Sequence, residues 1–242
     1  MINCKNCNYT ISEKFCGNCG QPAQLKRVDF HYIQHEIEHV LHLDKGILYT
    51  TKELLLTPGQ GIRSFISENR SRLVKPIIFV IVTSLIYTII ANLFPTELKP
   101  VDAALKGMKI GPTATHILHW VETHYGYANI ISSVIIALML KLFYRRHNYN
   151  FFEILIVLCF VMGMGMLILA IFKLIEGIAK VDLTTISTIV SFVYSAWAIG
   201  QFYNEKKLFT YVKSFTAFIL GGIIFNFLIV LAGGLIDHFI KH

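Results

Sequence analysis

Apolar positions change their spacing along this chain at Pro76. Beyond it they come in long runs separated by short polar connections. Before it they are scattered among cysteines, histidines and charges. Five runs with uncharged interiors stand out, at 76–94, 127–144, 151–175, 184–203 and 215–236. The first would form about 28 Å of helix at ~1.5 Å per residue, close to the thickness of a bilayer's hydrocarbon core. Pro76 suits a helix start, where a missing N–H costs nothing, and Pro95 ends the run. The second run requires Lys141 to snorkel toward the interface. The fourth is rich in Ser and Thr. The pattern predicts an all-α polytopic membrane protein with five transmembrane helices.

Ahead of the spans, the pattern predicts a small head at 1–25 and amphipathic helices at 26–75, leaving 76–242 as the membrane domain. In 61–75, Ile62, Phe65, Ile66 and Leu73 fall near one helical face. Arg63, Arg70, Arg72 and Lys75 lie on the others. This is the pattern of an interfacial helix on the inner leaflet, its basic residues meeting lipid phosphate.

Composition agrees with the periodicity. Of 242 residues, 54% are hydrophobic and only 15% charged, against about 25% charged in soluble domains. The formal charge of +7 is distributed as topology charge. Residues 1–75 hold ten Lys/Arg against seven Asp/Glu, with no basic block or aromatic–basic interleaving. That points away from nucleic acid. Lys and Arg are denser in the first, third and fifth non-membrane segments. The positive-inside rule therefore predicts a cytoplasmic amino terminus and an outer carboxyl terminus in a bacterial inner membrane. The opening residues lack the apolar stretch of a cleavable signal, so the first span is expected to act as the targeting signal.

Cys4, Cys7, Cys16 and Cys19 follow the spacing C-x2-C-x8-C-x2-C. Each pair forms a knuckle that directs two sulfurs at one metal, and residues 8–15 could form the intervening hairpin. Four thiolates predict a structural zinc with no open coordination position. A head of about 20 residues has no core of its own, so the metal would supply its folding energy. Free thiols also require a reducing compartment, which agrees with the charge rule.

Two histidine groups offer weaker chemistry. His35-Glu36-Ile37-Glu38-His39 matches H-E-x-x-H, in which His35 and His39 could hold a second metal with Glu36 as base. An amphipathic helix that happens to be rich in histidine explains it as well. His116, His119 and His124 accompany Trp120 and Glu122 in the long loop after the first span, and read as a short surface helix. Ser187, Ser191 and Ser195, Ala196 with Gly200, and Ala217 with Gly221 recur at helical spacing. They read as packing within the bundle, with a dimer seam as the alternative.

The four-cysteine head, the Asp44-x-Gly46-x-x-x-Thr50 stretch, the run Pro58-Gly59-x-x-Ile62-Arg63, and Arg70-x-Arg72-x-x-Lys75-Pro76 together resemble an uncharacterised bacterial family. Its members have an amino-terminal zinc ribbon, several membrane spans and a "domain of unknown function" label. Glu68-Asn69 departs from the glycine–lysine-like pair expected there. The five-span plan is also similar in topology to the Yip family of membrane trafficking proteins. The resemblance implies an inner-membrane protein and supplies no catalytic residue.

These features favour a non-enzymatic adaptor or accessory subunit. It would present its zinc ribbon in the cytoplasm and associate with lipid and with a membrane protein complex or further copies of itself. The alternatives are a metal-dependent hydrolase using the 35–39 segment, and a lipid or small-solute transporter using Asn226, Gln201 and the serine stripe.

Overall fold

The structure is a computed structural model. It describes residues 2, 3, 7, 9–11, 14–19, 46–70, 72–95, 111–203 and 208–240. The chain divides into two compact units, Met1–Asp44 and Lys45–His242.

In the first unit, β1 (Ile2–Asn3) pairs antiparallel with β2 (Thr10–Ile11), with Ile2 opposite Ile11 and Asn3 opposite Thr10. The hairpin expected within 8–15 lies partly outside the described residues. β2 belongs to that segment, but its partner precedes the first cysteine pair, so the strands bracket Cys4 and Cys7 in the chain.

Eight helices are described in the second unit. They are α1 (Ile47–Leu56), α2 (Pro58–Ser67), α3 (Pro76–Leu93), α4 (Pro112–Thr123), α5 (Tyr125–Phe143), α6 (Phe151–Ala179), α7 (Thr184–Phe202) and α8 (Leu208–Ile240). Local chemistry sets many of their ends. Pro58, Pro76 and Pro112 occupy first helical positions, where the absent N–H is not missed. Gly46 precedes α1 at φ 64°, a conformation that favours glycine. Asn150 and Glu153 form a reciprocal capping box at the start of α6, with bonds of 2.9 and 2.7 Å. Lys180, in the left-handed region at φ 56°, ends α6. The Asp182 carboxylate accepts from the Thr184 N–H at 2.9 Å and starts α7; that bond holds its pKa below the ordinary value.

Among the described residues, four helices are long and apolar enough to cross a membrane: α3, α5, α6 and α8. Helix α7 has 19 uncharged residues but carries Thr184, Thr185, Ser187, Thr188, Ser191 and Ser195, which lower its apolarity. Helix α6 packs against α3, α5 and α7, while α8 lies across α4, α5 and α7. The core of the unit is built on α6. Ile154, Leu158, Phe160, Val161 and Met164 are buried there with Phe79, Leu140, Ile199 and Phe202. Among the described residues, the buried polar side chains of the bundle are Ser, Thr and Tyr hydroxyls. Several return their hydroxyls to their own helix. Thr83 donates to the Phe79 carbonyl at 2.8 Å, Ser133 to Ile130 at 2.7 Å and Ser195 to Ser191 at 2.8 Å.

The bundle has two distinct ends. At one, the α5 carboxyl end meets the α8 amino end and the α7 carboxyl end. Tyr144 stacks on Tyr203 with centroids 3.6 Å apart, and its hydroxyl donates to the Thr210 carbonyl at 2.8 Å. At the far end, Phe94 covers Gly177. There too Tyr87 meets Tyr125 edge-on at 5.0 Å, and Asp237 of α8 accepts from the Thr113 hydroxyl at the start of α4.

Candidate metal centre and the elbow ahead of the first span

Cys7, Cys16 and Cys19 bring their sulfurs within 4.8 Å of one another, a group that could hold a metal ion. The Cys7 and Cys16 sulfurs are 3.5 Å apart, and no disulfide joins Cys7, Cys16 and Cys19. Four sulfurs about 2.3 Å from a zinc stand roughly 3.8 Å apart in a tetrahedron, so the spacing fits three corners of such a site. Cys16 is buried and Cys19 exposed. The Cys7 thiol is pulled down to about 6, first by the Tyr9 backbone N–H and then by the Asn18 side chain. A group held in this way favours the thiolate, the form that binds metal. The fourth expected ligand, Cys4, lies outside the described residues, as do His35, Glu36 and His39.

The segment expected to lie on the inner leaflet has a different structure. Its helix is shorter than 61–75 suggested, since α2 ends at Ser67, and its apolar side faces protein. Ile62 and Phe65 are buried, and Phe65 meets Phe160 of α6 edge-on at 5.3 Å. Gly59 permits this approach, because a Cβ there would lie 2.3 Å from the Gln201 backbone. Of the four basic residues expected to meet lipid phosphate, two are bound to protein groups. Arg63 donates from Nη1 to the Gln201 carbonyl and to the Phe202 carbonyl, the latter at 2.9 Å. It thus satisfies carbonyls that the end of α7 leaves open. Arg72 pairs with Glu53 at 2.8 Å. Arg70 and Lys75 remain exposed.

Helix α1 completes this elbow. Thr50 is buried and accepts from the Val74 N–H at 3.1 Å, tying α1 to the chain entering α3. The Leu54 carbonyl accepts from the Tyr194 hydroxyl of α7 at 3.0 Å. Leu48, Leu55 and Leu56 stay exposed, so α1 rather than α2 presents the bare apolar face. Periodicity could not separate the two helices, because both are short and amphipathic and only tertiary contact decides which apolar face is covered.

His116, His119 and His124 form no three-ligand group. His119 lies 3.3 Å from Glu122, and His124 stacks on Trp120 with centroids 4.7 Å apart. Asp237, which sequence reasoning passed over, anchors this helix. Its one available signal was an acid at the end of an uncharged run. No cluster of three metal ligands other than the cysteine group occurs among the described residues.

No curated protein and no solved structure matches the chain. Residues 44–88, which span α1, α2 and most of α3, match the family described as "Protein of unknown function (DUF3667)".

Proposed function

We propose that the chain is a non-enzymatic adaptor of a bacterial inner membrane. Its head, clamped by one structural zinc, offers a rigid cytoplasmic surface to a membrane protein complex, and the helical bundle holds that surface at the bilayer. The convergence of the Cys7, Cys16 and Cys19 sulfurs carries this reading. Cys4 would supply the fourth thiolate. A tetrathiolate zinc has no open position for substrate or water, so it would hold shape rather than perform chemistry.

Two features of the bundle support the same reading. Among the described residues, no Asp, Glu, Lys, Arg or His of the bundle is fully buried. Transport paths and proton relays through membranes generally use ionisable side chains. The backbone of the elbow is also closed by protein partners at Leu54, Gln201 and Phe202. Such closure is what lipid-level helix ends require.

Helix α7 would be the fifth span. It runs between the same two ends as α6, from Thr184 beside Glu176 to Phe202 beside Tyr149. Its outer face is aliphatic, with Ile186, Ile189 and Val193 exposed. Arg63, Lys141, Arg145, Arg146 and Lys213 gather at the elbow end. The far end carries Glu122, Asp182 and Asp237, with Lys180 beside Asp182 and Lys173 paired with Glu176. By the positive-inside rule the elbow end is cytoplasmic, and the carboxyl terminus is outside.

Gentle solubilisation from native membranes tests the proposal. The adaptor should retain about one zinc per chain by elemental analysis and bring down a stoichiometric membrane companion. Cys7→Ser with Cys16→Ser should lose the zinc and the companion, and leave the helical signal of the bundle intact. Metal-free protein, or a companion indifferent to the double substitution, would refute it.

A further inference from the structure

We propose that a second copy of this chain docks on the outward face of α8. The surface is the row Gly222, Asn226, Val230 and Gly234, and the two Asn226 carboxamides pair across a two-fold axis along the bilayer normal. The proposal rests on α8 crossing the membrane and is independent of the metal in the head.

Lys213 and Asp237 bracket an uncharged run of α8, and Asn226 lies near its middle. The Asn226 side chain is exposed. Its Nδ2 donates at 2.9 Å to the Gly222 carbonyl, one turn back on the same helix. A carboxamide has two donor hydrogens and an oxygen with two lone pairs. The Oδ1 and the second N–H of Asn226 have no partner among the described residues. In water that would cost nothing. In hydrocarbon, unmet amide groups are strongly unfavourable. Asn129 of α5 shows the opposite arrangement, since its amide turns inward and donates to Ser84 of α3 at 3.4 Å.

The glycines of α8 give an independent sign. They come as two adjacent pairs, and each pair divides its work. A Cβ on Gly221 would strike Ile136, and one on Gly233 would strike Ala114, so both are filled from within the chain. Gly222 and Gly234 have no heavy atom within 4 Å of that position. They lie one turn before and two turns after Asn226, along one inclined i±4 ridge of the helix. Helix α8 thus has two glycine faces, one occupied by its own bundle and one bare. Small residues beside a polar one let helices approach closely enough to hydrogen-bond in lipid.

A copy of the same chain fits this face better than another partner. A two-fold axis along the bilayer normal places every residue opposite its equivalent at equal depth. A carboxamide is self-complementary, so each N–H would meet the other Oδ1 with no further requirement.

The test uses the full chain in liposomes, with subunits counted by single-molecule photobleaching over a range of protein densities. Dimers are expected. Asn226→Leu should weaken association about tenfold, Gly222→Leu should also weaken it, and Asn226→Gln should retain it. Benzoylphenylalanine placed at position 230 should give a covalent species of two chains, whereas at position 89, on the exposed face of α3, it should not. Resistance to SDS-driven unfolding should be unchanged in Asn226→Leu, which separates lost association from a lost fold. Monomers at every density, dimers indifferent to both Leu substitutions, or a position-230 crosslink to a different protein would overturn the proposal.

Discussion

Helices α6 and α8 are both long apolar helices, yet 61% of the most apolar stretch of α6 is buried within the protein against 17% for α8. Hydropathy alone would treat them alike. The difference lies in what their small residues meet. In α6, Gly163 faces the ring of Phe79, and Gly165 faces Ser191 of α7. Its neighbours therefore close in from both sides. In α8, the small residues are shared between an inner and an outer face, and only the inner face is used. Apolarity decides that a helix enters the membrane, while the placement of glycine decides how many neighbours it can take there.

The largest effect should come from Gly163→Leu. A Cβ at 163 already lies 2.6 Å from Phe79 Cδ1 and 3.1 Å from the Thr83 hydroxyl. Phe79 is fully buried and packed on Phe160 with centroids 5.9 Å apart, so its ring has no free direction in which to move. We expect destabilisation of about 3 kcal/mol, measured by SDS-driven unfolding in lipid–detergent micelles. A neutral result would mean that α6 is less tightly enclosed than its burial indicates.

Tyr144→Phe should rank next. The Tyr144 hydroxyl bonds to the Thr210 carbonyl and Ser214 Oγ, each at 2.8 Å, and so ties α5 to the start of α8. Removing it should cost about 1.5 kcal/mol, because the stack on Tyr203 would survive. Asp237→Ala should be smaller and local. The Asp237 carboxylate caps the start of α4, accepting from the Thr113 hydroxyl and backbone N–H. Its loss should cost about 1 kcal/mol, seen as faster hydrogen exchange over 112–123 with α6 unaffected.

The legible part of this molecule was the part governed by local pattern. The run expected at 76–94 forms α3 at Pro76–Leu93, and the one at 184–203 forms α7 at Thr184–Phe202. Helix α8 exceeds the run read at 215–236, because the turns around Thr210 and Asp237 are helical even though they carry polar groups. The cysteine spacing pointed to a metal, and three of those thiols converge. The elbow was not legible. The carbonyl partners of Arg63 lie 138 and 139 residues away, and no window along the chain reports such a pairing. Arg63, Arg70, Arg72 and Lys75 looked equivalent by charge and periodicity. Only the approach of α2 to the end of α7 separates Arg63, and that approach depends on Gly59 having no side chain.

The smallest effect on the fold should come from Gly222→Leu, and it is the sharpest test of the comparison because its neighbour predicts the reverse. At Gly221 a Cβ would lie 2.8 Å from the Ile136 Cα. Backbone cannot rotate aside as a side-chain tip can, so Gly221→Leu should separate α8 from α5 at a cost of about 2 kcal/mol. One position later the same substitution meets open space, and leucine is a better helix former than glycine by roughly 0.8 kcal/mol. The unfolding midpoint of Gly222→Leu should therefore stay level or rise. Its damage should appear only when two chains are counted together. If both substitutions harmed the isolated chain equally, α8 would have no bare face. If neither did, it would have no packed one.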